Sequence, residues 1–294
     1  MGISHEDAQL HLAWTLLHFL WMACIPAALL HLATRWLPTR SAELRYRISV
    51  LSLALLLPLF VLAARMGRTE DSRVAQQTRV LARDGGVPNA TGTFERQPNV
   101  ADEARLDVVA GPLSKASSEV AASAVSMTAN QSDQAGGIVW ARVITTLYFL
   151  GLAICSLRLL IGYLSSRRLR RSATPIVEGE MQQLAQRIAS RIRLRASPMI
   201  YWSERVVVPA VVGVVRPAVL LPTAMANGLT IEQLEHILLH EFTHLRRLDP
   251  LVNFLQNVVE TLFFFHPLVW WISSKVRLYR ELSCDDAVVA CGVS

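Results

Sequence analysis

Two histidines four residues apart constrain the fold of this sequence more than any other feature. The sequence from His240 to His244 reads HEFTH, and on a helix this spacing sets the two imidazoles about 40° apart, so both can reach one zinc ion. Glu241 then lies beside the metal, where a carboxylate can accept a proton from water. A catalytic zinc needs a third protein ligand, and Glu281, 37 residues after His244, is the candidate. The pattern predicts a zinc site.

The separation of His244 and Glu281 requires the chain to reverse direction between them. A continuous helix would hold the two residues roughly 55 Å apart, whereas zinc ligand atoms lie about 2.0–2.2 Å from the metal. The segment Pro250–Ser274 carries a single charge, Glu260, so hydropathy alone would make it a membrane span. Because proline disfavours helix at the preceding residue, we predict a helical hairpin that breaks before Pro267 and returns Glu281 to the histidines. Its aromatic tip should lie in the inner leaflet or pack against the spans.

The residues around this motif predict its local setting. Thr230 followed by Gln233 is a capping-box pattern, so we expect the HEFTH helix to begin near Ile231. Asp285 follows Glu281 by one helical turn and could accept a hydrogen bond from a zinc-ligating histidine. The alternative is a solvated acidic pair with the next residue. Asp249, which precedes a proline, is interpreted as a residue that ends a helix.

Composition and three apolar runs predict a membrane protein. Hydrophobic residues make up 52% of the chain, and the mean hydropathy is +0.34. Leu10–Thr34 has 25 residues without Asp, Glu, Lys or Arg, enough to span a bilayer, and is too long for a signal peptide. Ile48–Ala64 is a second uncharged run, of 17 residues, with Pro58 expected to kink it. Ile138–Leu164 is the third, with Arg142 and Arg158 near its ends.

Basic residues set the expected orientation. Arginines lie between the first two spans and at 167–171 after the third, so both sites should be cytoplasmic, and the bacterial-type inner membrane is the predicted location. These arginines fit membrane flanks better than a nucleic-acid surface, and we expect no direct contact with nucleic acid. The predicted divisions are 1–66, two transmembrane helices; 67–137, a flexible extracytoplasmic loop; 138–164, a third transmembrane helix; and 165–294, a cytoplasmic metallopeptidase domain.

The region after the third span has the pattern of a mixed α and β domain. Strands are predicted at Met199–Trp202, Val206–Val208, Val211–Val215 and Ala218–Leu221, with prolines between them. Prolines belong at sheet edges, so at least one strand should have a free edge. Such an edge could bind an extended peptide substrate, or the sheet could be purely structural.

Three segments together resemble a known family. HEFTHLRRLDP, FFFHPLVWW and RELSCDDAVV, preceded by three spans, resemble the beta-lactam sensor and antirepressor metallopeptidases of the Bla/Mec regulator type. The resemblance is clear over about residues 200–289. It implies a mainly α membrane protein with three N-terminal transmembrane helices and a cytoplasmic α+β gluzincin-like zinc protease domain with a small β-sheet. His240, His244 and Glu281 would bind zinc, Glu241 would be the catalytic base, and the substrate would be a transcriptional repressor or the chain itself.

The sequence also departs from the best-known members, which continue into an extracellular penicillin-binding sensor domain. No Ser-x-x-Lys motif of such a domain occurs here. A signal would then reach the loop or a separate partner, or the chain is a truncated copy. The first hypothesis is a membrane-anchored zinc endopeptidase that hydrolyses a cytoplasmic protein in signal transduction. The alternatives are a non-catalytic signalling scaffold with a structural zinc and a housekeeping membrane metalloprotease.

Overall fold

The computed structural model describes residues 5–37, 42–84, 113–177, 179–195, 197–226 and 228–291. Within those ranges the protein is mostly helical, with one small mixed sheet. The chain divides into two compact units. One is formed by Met1–Thr15 and Ala64–Thr146, and the other by Leu16–Ala63 and Leu147–Ser294.

Among the residues that the structure describes, three helical segments are long and apolar enough to cross a membrane. They are Glu6–Trp36, Ala42–Gly67 and Gly136–Arg171. The first is not one continuous helix but consists of α1 (His5–Met22) and α2 (Cys24–Trp36). Pro26 explains the interruption, because it has no amide hydrogen to donate to the Met22 carbonyl and its ring crowds that turn.

The other two spans belong to longer helices than the sequence predicts. Helix α3 runs over Ala42–Asp84 and contains Pro58, and α4 runs over Leu113–Arg171. Parts of the predicted flexible loop, 67–137, are therefore helical, and its middle, residues 85–112, lies outside the described residues. The flexibility of this loop stays a prediction. Alanine, glutamine and arginine favour helix by intrinsic propensity, which requires no hydrophobic core.

In the first unit an ion pair joins two of the candidate spans. Arg142 Nη2 lies 2.6 Å from Glu6 Oε1, and both side chains are about half exposed. Arg142, which the sequence places near the end of the third span, therefore has an acidic partner. Its net contribution in water would be small, since exposed pairs give about 0–1 kcal/mol.

The second unit contains a four-stranded sheet. Its strands are β1 (Thr174–Pro175), β2 (Met199–Ser203), β3 (Ala210–Val212) and β4 (Ala218–Pro222), in the order β1-β2-β4-β3. The central pair, β2 and β4, is parallel, and the outer strands pair antiparallel. Every residue of β4 is buried. Among the described residues β1 pairs with β2 alone and β3 with β4 alone, so the prediction of at least one edge strand is confirmed.

Two strand predictions need correction. Val206–Val208 is not a strand, and the predicted strand Val211–Val215 ends at Val212. Gly213 has φ 91°, a left-handed conformation that turns the chain away from the ladder. In the segment Val206–Val208, Val207 is 89% exposed, so this segment has no partner strand. β-Propensity measures how well a side chain fits an existing sheet, and it does not create one.

The helix that carries HEFTH packs on this sheet. Helix α5 (Glu180–Arg191), β2, β4 and α6 (Ile231–Arg246) share one buried core, whose members from α6 are Leu238, Leu239, Phe242 and Leu245. The predicted capping box is confirmed, because Thr230 Oγ1 accepts from the Gln233 amide and Gln233 Oε1 accepts from the Thr230 amide. The start of α6 is thereby fixed.

The predicted helical hairpin is confirmed. Helix α7 runs over Asp249–Leu262 and α8 over Pro267–Ala290, so the chain breaks immediately before Pro267. His266 stabilises the break from both sides. Its Nδ1 accepts a hydrogen bond from the Leu268 amide at 3.1 Å, and its Nε2 lies 3.0 Å from the Leu20 carbonyl oxygen. Because Leu20 lies in the middle of the first candidate span, the tip of the hairpin packs against the apolar part of that span.

Aromatic contacts complete the packing of the tip. The rings of Phe263 and Phe19 stack with centroids 4.4 Å apart. The ring centroids of Phe264 and of Tyr148 in α4 are 6.1 Å apart. Phe19 and Phe263 are almost fully buried. Of the two locations that the sequence allows for the tip, the structure therefore has it packed against the spans.

One glycine allows the tip to approach α4. A Cβ added at Gly151 would overlap the ring of Phe264. Replacing Gly151 by alanine is therefore expected to lower the melting temperature of the full chain in detergent, since overpacking costs about 1–3 kcal/mol. Adding Phe264→Leu should restore most of the loss.

The matched control for this change is Gly162→Ala in the same helix. Apart from the adjacent residues and the backbone of the helix itself, no atom of the described residues lies within 4 Å of a Cβ built there, so the melting temperature should stay at the wild-type value. If the two alanine variants melt alike, the hairpin tip does not pack against α4.

Candidate metal centre

Helix α6 presents its two histidines at one point. The apolar stripe of α6 packs against α5 and the sheet, which leaves His240 and His244 on another face. Their Nε2 atoms are 3.2 Å apart, and the side chains are 26% and 14% exposed. The pair therefore remains open to solvent on one side.

Helix α8 brings Glu281 to the same point. Glu281 Oε2 lies 3.7 Å from His240 Nε2 and 3.7 Å from His244 Nε2. Tetrahedral ligand atoms about 2.1 Å from zinc stand about 3.4 Å from one another. The observed separations are close to that value, and two imidazole nitrogens with one carboxylate oxygen form a donor set of catalytic zinc sites. The three residues fit a zinc ion.

Two carboxylates contact the opposite ring nitrogens of these histidines. Asp285 Oδ1 lies 3.3 Å from His240 Nδ1, and the Asp285 side chain is 65% exposed. His244 Nδ1 donates to Asp249 Oδ2 at 2.8 Å, and the Asp249 side chain is 4% exposed. A carboxylate at Nδ1 fixes the imidazole with Nε2 free for a metal. The two carboxylates therefore orient both rings towards the point where Glu281 arrives.

Cys284 adds a second group of possible ligands around His244. Its Sγ lies 3.3 Å from His244 Nδ1 and donates to Asp249 Oδ2 at 3.8 Å. His244, Asp249 and Cys284 also lie close enough to hold a metal ion. The thiol and the carboxylate are buried, however, and Asp249 already accepts a proton from His244. We therefore assign this group to orienting the histidine.

The same contacts explain the ionisation of His244 and Asp249. Burial disfavours the imidazolium, but the hydrogen bonds to Asp249 and Cys284 outweigh burial and raise the pKa of His244 to about 10. Burial also opposes ionisation of Asp249, yet the hydrogen bonds from His244 and Tyr46 hold the pKa of its carboxyl below the usual value. A charged Asp249 carboxylate therefore accepts the hydrogen bond from His244 Nδ1.

Glu241 faces a cavity of about 430 Å³ in front of the histidines. The cavity is lined by residues of α6 and α8 and by the residue before β3; they are Pro209, His236, Ile237, His240, Glu241, Asp285, Val288 and Val289. Burial raises the pKa of the Glu241 carboxyl, while the nearby histidines oppose the increase. A carboxylate with a raised pKa accepts a proton more readily near neutral pH.

The structure brings together every site residue that the sequence predicts and adds two more. Asp249, interpreted from the sequence as a helix-end residue, begins α7 but also binds His244. The sequence signal for this role was the position of Asp249, five residues after His244 and directly before Pro250. Helix α6 must end between His244 and Pro250, and the chain must turn back there. Leu248 makes that turn with φ 60°. Tyr46, which binds Asp249, is 203 residues away and carried no local signal.

The family match to known proteins includes His240, Glu241, His244 and Glu281. A family model described as BlaR1 peptidase M56 matches residues 98–292, well over half of the sequence. The chain belongs to the BlaR1 peptidase M56 family. The resemblance predicted from HEFTHLRRLDP, FFFHPLVWW and RELSCDDAVV is thereby confirmed.

Individual relatives in the M56 family agree with this assignment. The chain is 28% identical over 142 residues to the regulatory protein BlaR1 of Bacillus licheniformis, which covers 48% of the chain and 24% of the relative. It is 29% identical over 90 residues to the methicillin resistance mecR1 proteins of Staphylococcus aureus and Staphylococcus epidermidis, 31% of the chain and 15% of each relative. The chain thus aligns with a quarter or less of these relatives' length.

Proposed function

We propose that this chain is a membrane-anchored zinc endopeptidase of the gluzincin type that cleaves a cytoplasmic protein in signal transduction. The observation that carries the proposal is the convergence of His240, His244 and Glu281 on one point beside Glu241. Membership of a peptidase family and similarity to a protein named as regulatory support it.

The chemistry of the site favours hydrolysis over a structural role. A structural zinc is usually enclosed by four protein ligands, whereas the group here offers three, and Glu281 is 57% exposed. The cavity beside the histidines leaves room for water and a substrate. These features disfavour the alternative of a non-catalytic scaffold with a structural zinc.

The residues of the chain divide the reaction between them. His240, His244 and Glu281 would hold the zinc ion, with Asp249 and Asp285 orienting the two rings. When bound, zinc supplies Lewis acidity, which polarises the scissile carbonyl and lowers the pKa of water to about 7. Glu241 accepts the proton of the attacking water and passes it to the leaving amine.

The free edge of β3 offers a way to hold the substrate. Pro209 precedes β3 and lines the cavity with His240 and Glu241, so the start of this edge strand lies at the site. An extended peptide that pairs with β3 would enter the cavity with its backbone aligned. This contact would favour an unfolded or exposed segment of a protein as the substrate.

The candidate membrane helices and the relatives support a proposal for the location and the substrate. We propose that the candidate spans anchor the chain in a bacterial inner membrane, with the arginine-rich flanks and residues 165–294 in the cytoplasm and residues 67–137 outside. The divisions at 66, 137 and 164 belong to this proposal. The protein substrate would be a transcriptional repressor, in keeping with the regulatory relatives, or the chain itself.

Metal removal tests the proposal. The full chain, purified in detergent, should contain about one zinc ion and hydrolyse members of a library of internally quenched peptides. Dialysis against 1,10-phenanthroline should abolish hydrolysis, and added zinc should restore it while added magnesium should not. Hydrolysis that persists in metal-free protein would exclude the mechanism. Bound zinc with no hydrolysis of any peptide would instead support the scaffold.

A further inference from the structure

A residue of the second candidate span reaches the metal centre through a single intermediary. Tyr46 lies in α3, at the start of the span Ala42–Gly67. Its hydroxyl donates to Asp249 Oδ1 at 2.6 Å, while the other oxygen, Asp249 Oδ2, accepts from His244 Nδ1 at 2.8 Å. Two short hydrogen bonds therefore connect the span to a proposed zinc ligand.

Both bonds are shielded from water. Tyr46 is 5% exposed and Asp249 is 3% exposed. The guanidinium of Arg247 covers the Tyr46 ring at 4.2 Å from its centroid, and Arg247 Nε lies 3.9 Å from Asp249 Oδ1. A carboxylate removed from water needs its remaining donors, and the loss of one leaves an unsatisfied charged oxygen. The Tyr46 hydroxyl therefore helps to fix where the Asp249 carboxylate points.

We propose that Tyr46 is a positioning residue of the metal centre and sets its zinc affinity through Asp249 and His244. The proposal rests on the proposed zinc site. Because Asp249 holds the His244 ring by one nitrogen, a rotation of the carboxylate turns the other nitrogen away from Glu281. A displacement of α3 that lengthens the Tyr46 bond thus changes the zinc site, since hydrogen bonds weaken steeply with poor geometry.

The packing of the Tyr46 ring does not require its hydroxyl group. The Tyr46 ring belongs to the apolar core formed by the spans and the α7–α8 hairpin, and phenylalanine would fill the same space. Tyr46→Phe therefore keeps the ring and its contact with Arg247, and it removes the donor to Asp249 together with the interaction of the hydroxyl with Arg280. The variant separates positioning from packing.

Zinc affinity of the full chain in detergent tests the proposal, measured by competition with a chromophoric zinc chelator. Tyr46→Phe should bind zinc about 10- to 100-fold more weakly, the usual effect of losing a partner behind a metal ligand. The absorption bands of the cobalt-substituted protein should shift as well, because they report ligand orientation. Melting of the metal-free protein confirms that the variant is folded.

Tyr279→Phe is the matched control. Tyr279 belongs to the same core and is 7% exposed, but its hydroxyl has no hydrogen-bond partner among the described residues. Removing that hydroxyl should change zinc affinity less than about twofold, since it faces no metal ligand. A loss as large as that of Tyr46→Phe would show that any buried hydroxyl in this core affects the site, which contradicts the proposal.

A double variant tests the route. If Tyr46 acts through Asp249, then Tyr46→Phe should have no further effect on zinc affinity in an Asp249→Ala background. Equal effects in both backgrounds, or wild-type affinity in folded Tyr46→Phe, overturn the proposal while the zinc site itself stands. Wild-type protein that binds no zinc would instead overturn the proposed function. If Tyr46→Phe does not fold, Asp249→Asn should show the same loss, and unchanged affinity there counts against the route.

Discussion

Replacing Glu241 by glutamine is expected to leave zinc bound and to lower peptide hydrolysis by a factor of about 10² to 10⁴. Glutamine has nearly the same size but cannot accept the proton of the attacking water. The proposed ligand atoms come from His240, His244 and Glu281, so the metal should remain. The measurements are zinc content and kcat/KM on the quenched peptides, both on the full chain in detergent.

The control for this variant is Glu232→Gln, which makes the same chemical change in the first turn of the same helix. Glu232 is exposed, so its replacement should alter neither zinc content nor hydrolysis. Wild-type hydrolysis by Glu241→Gln would rule out Glu241 as the base. Loss of zinc from that variant would show instead that Glu241 helps to hold the metal.

The path of the chain through the site could be predicted because two physical constraints act on the same segment. The metal requires His244 and Glu281 to meet, and Pro267 favours a break in the apolar segment between them. The hairpin of α7 and α8 has its break at that point. Hydropathy alone favoured a fourth span, so the geometric argument decided correctly between the two.

The residues behind the ligands could not be predicted with the same method. Asp249 reaches His244 because the chain turns sharply at Leu248, and Tyr46 reaches Asp249 because elements 203 residues apart pack together. Local spacing carries information about residues on one helix, such as Glu281 and Asp285. Local spacing carries no information about which side chain of a distant helix will contact these residues.

The error in the β-region has a physical cause as well. Valine-rich segments were interpreted as strands, but Val206–Val208 has no neighbour to pair with. The valine pattern describes a tendency, and the presence or absence of a partner strand decides the outcome.

The two orienting carboxylates should differ in strength because their surroundings differ. Asp249 is buried, and its hydrogen bond to His244 measures 2.8 Å. Asp285 is 65% exposed, and it lies 3.3 Å from His240. An exposed charge pair is screened by water, whereas a buried one is not. His244 is therefore the more rigidly held of the two histidines, and the second span acts on that one.

Replacing Glu281 by glutamine is expected to have the largest effect on the metal itself. Changes to partners behind a ligand lower affinity about 10- to 100-fold, so loss of a charged ligand should lower zinc affinity by more than about 100-fold. Hydrolysis should disappear at stoichiometric zinc and return in part at high zinc. Chelator competition gives the affinity, and the quenched peptides give the activity.

Asp286→Asn is the matched control for Glu281→Gln, because it removes an exposed carboxylate from the same helix outside the candidate metal group. It should bind zinc like the wild type. If Glu281→Gln also binds zinc like the wild type, the metal must use the second group, His244, Asp249 and Cys284. Cys284→Ser would then lose zinc, whereas with Glu281 as the ligand it should affect affinity far less. The pair of variants therefore decides which side of His244 faces the metal.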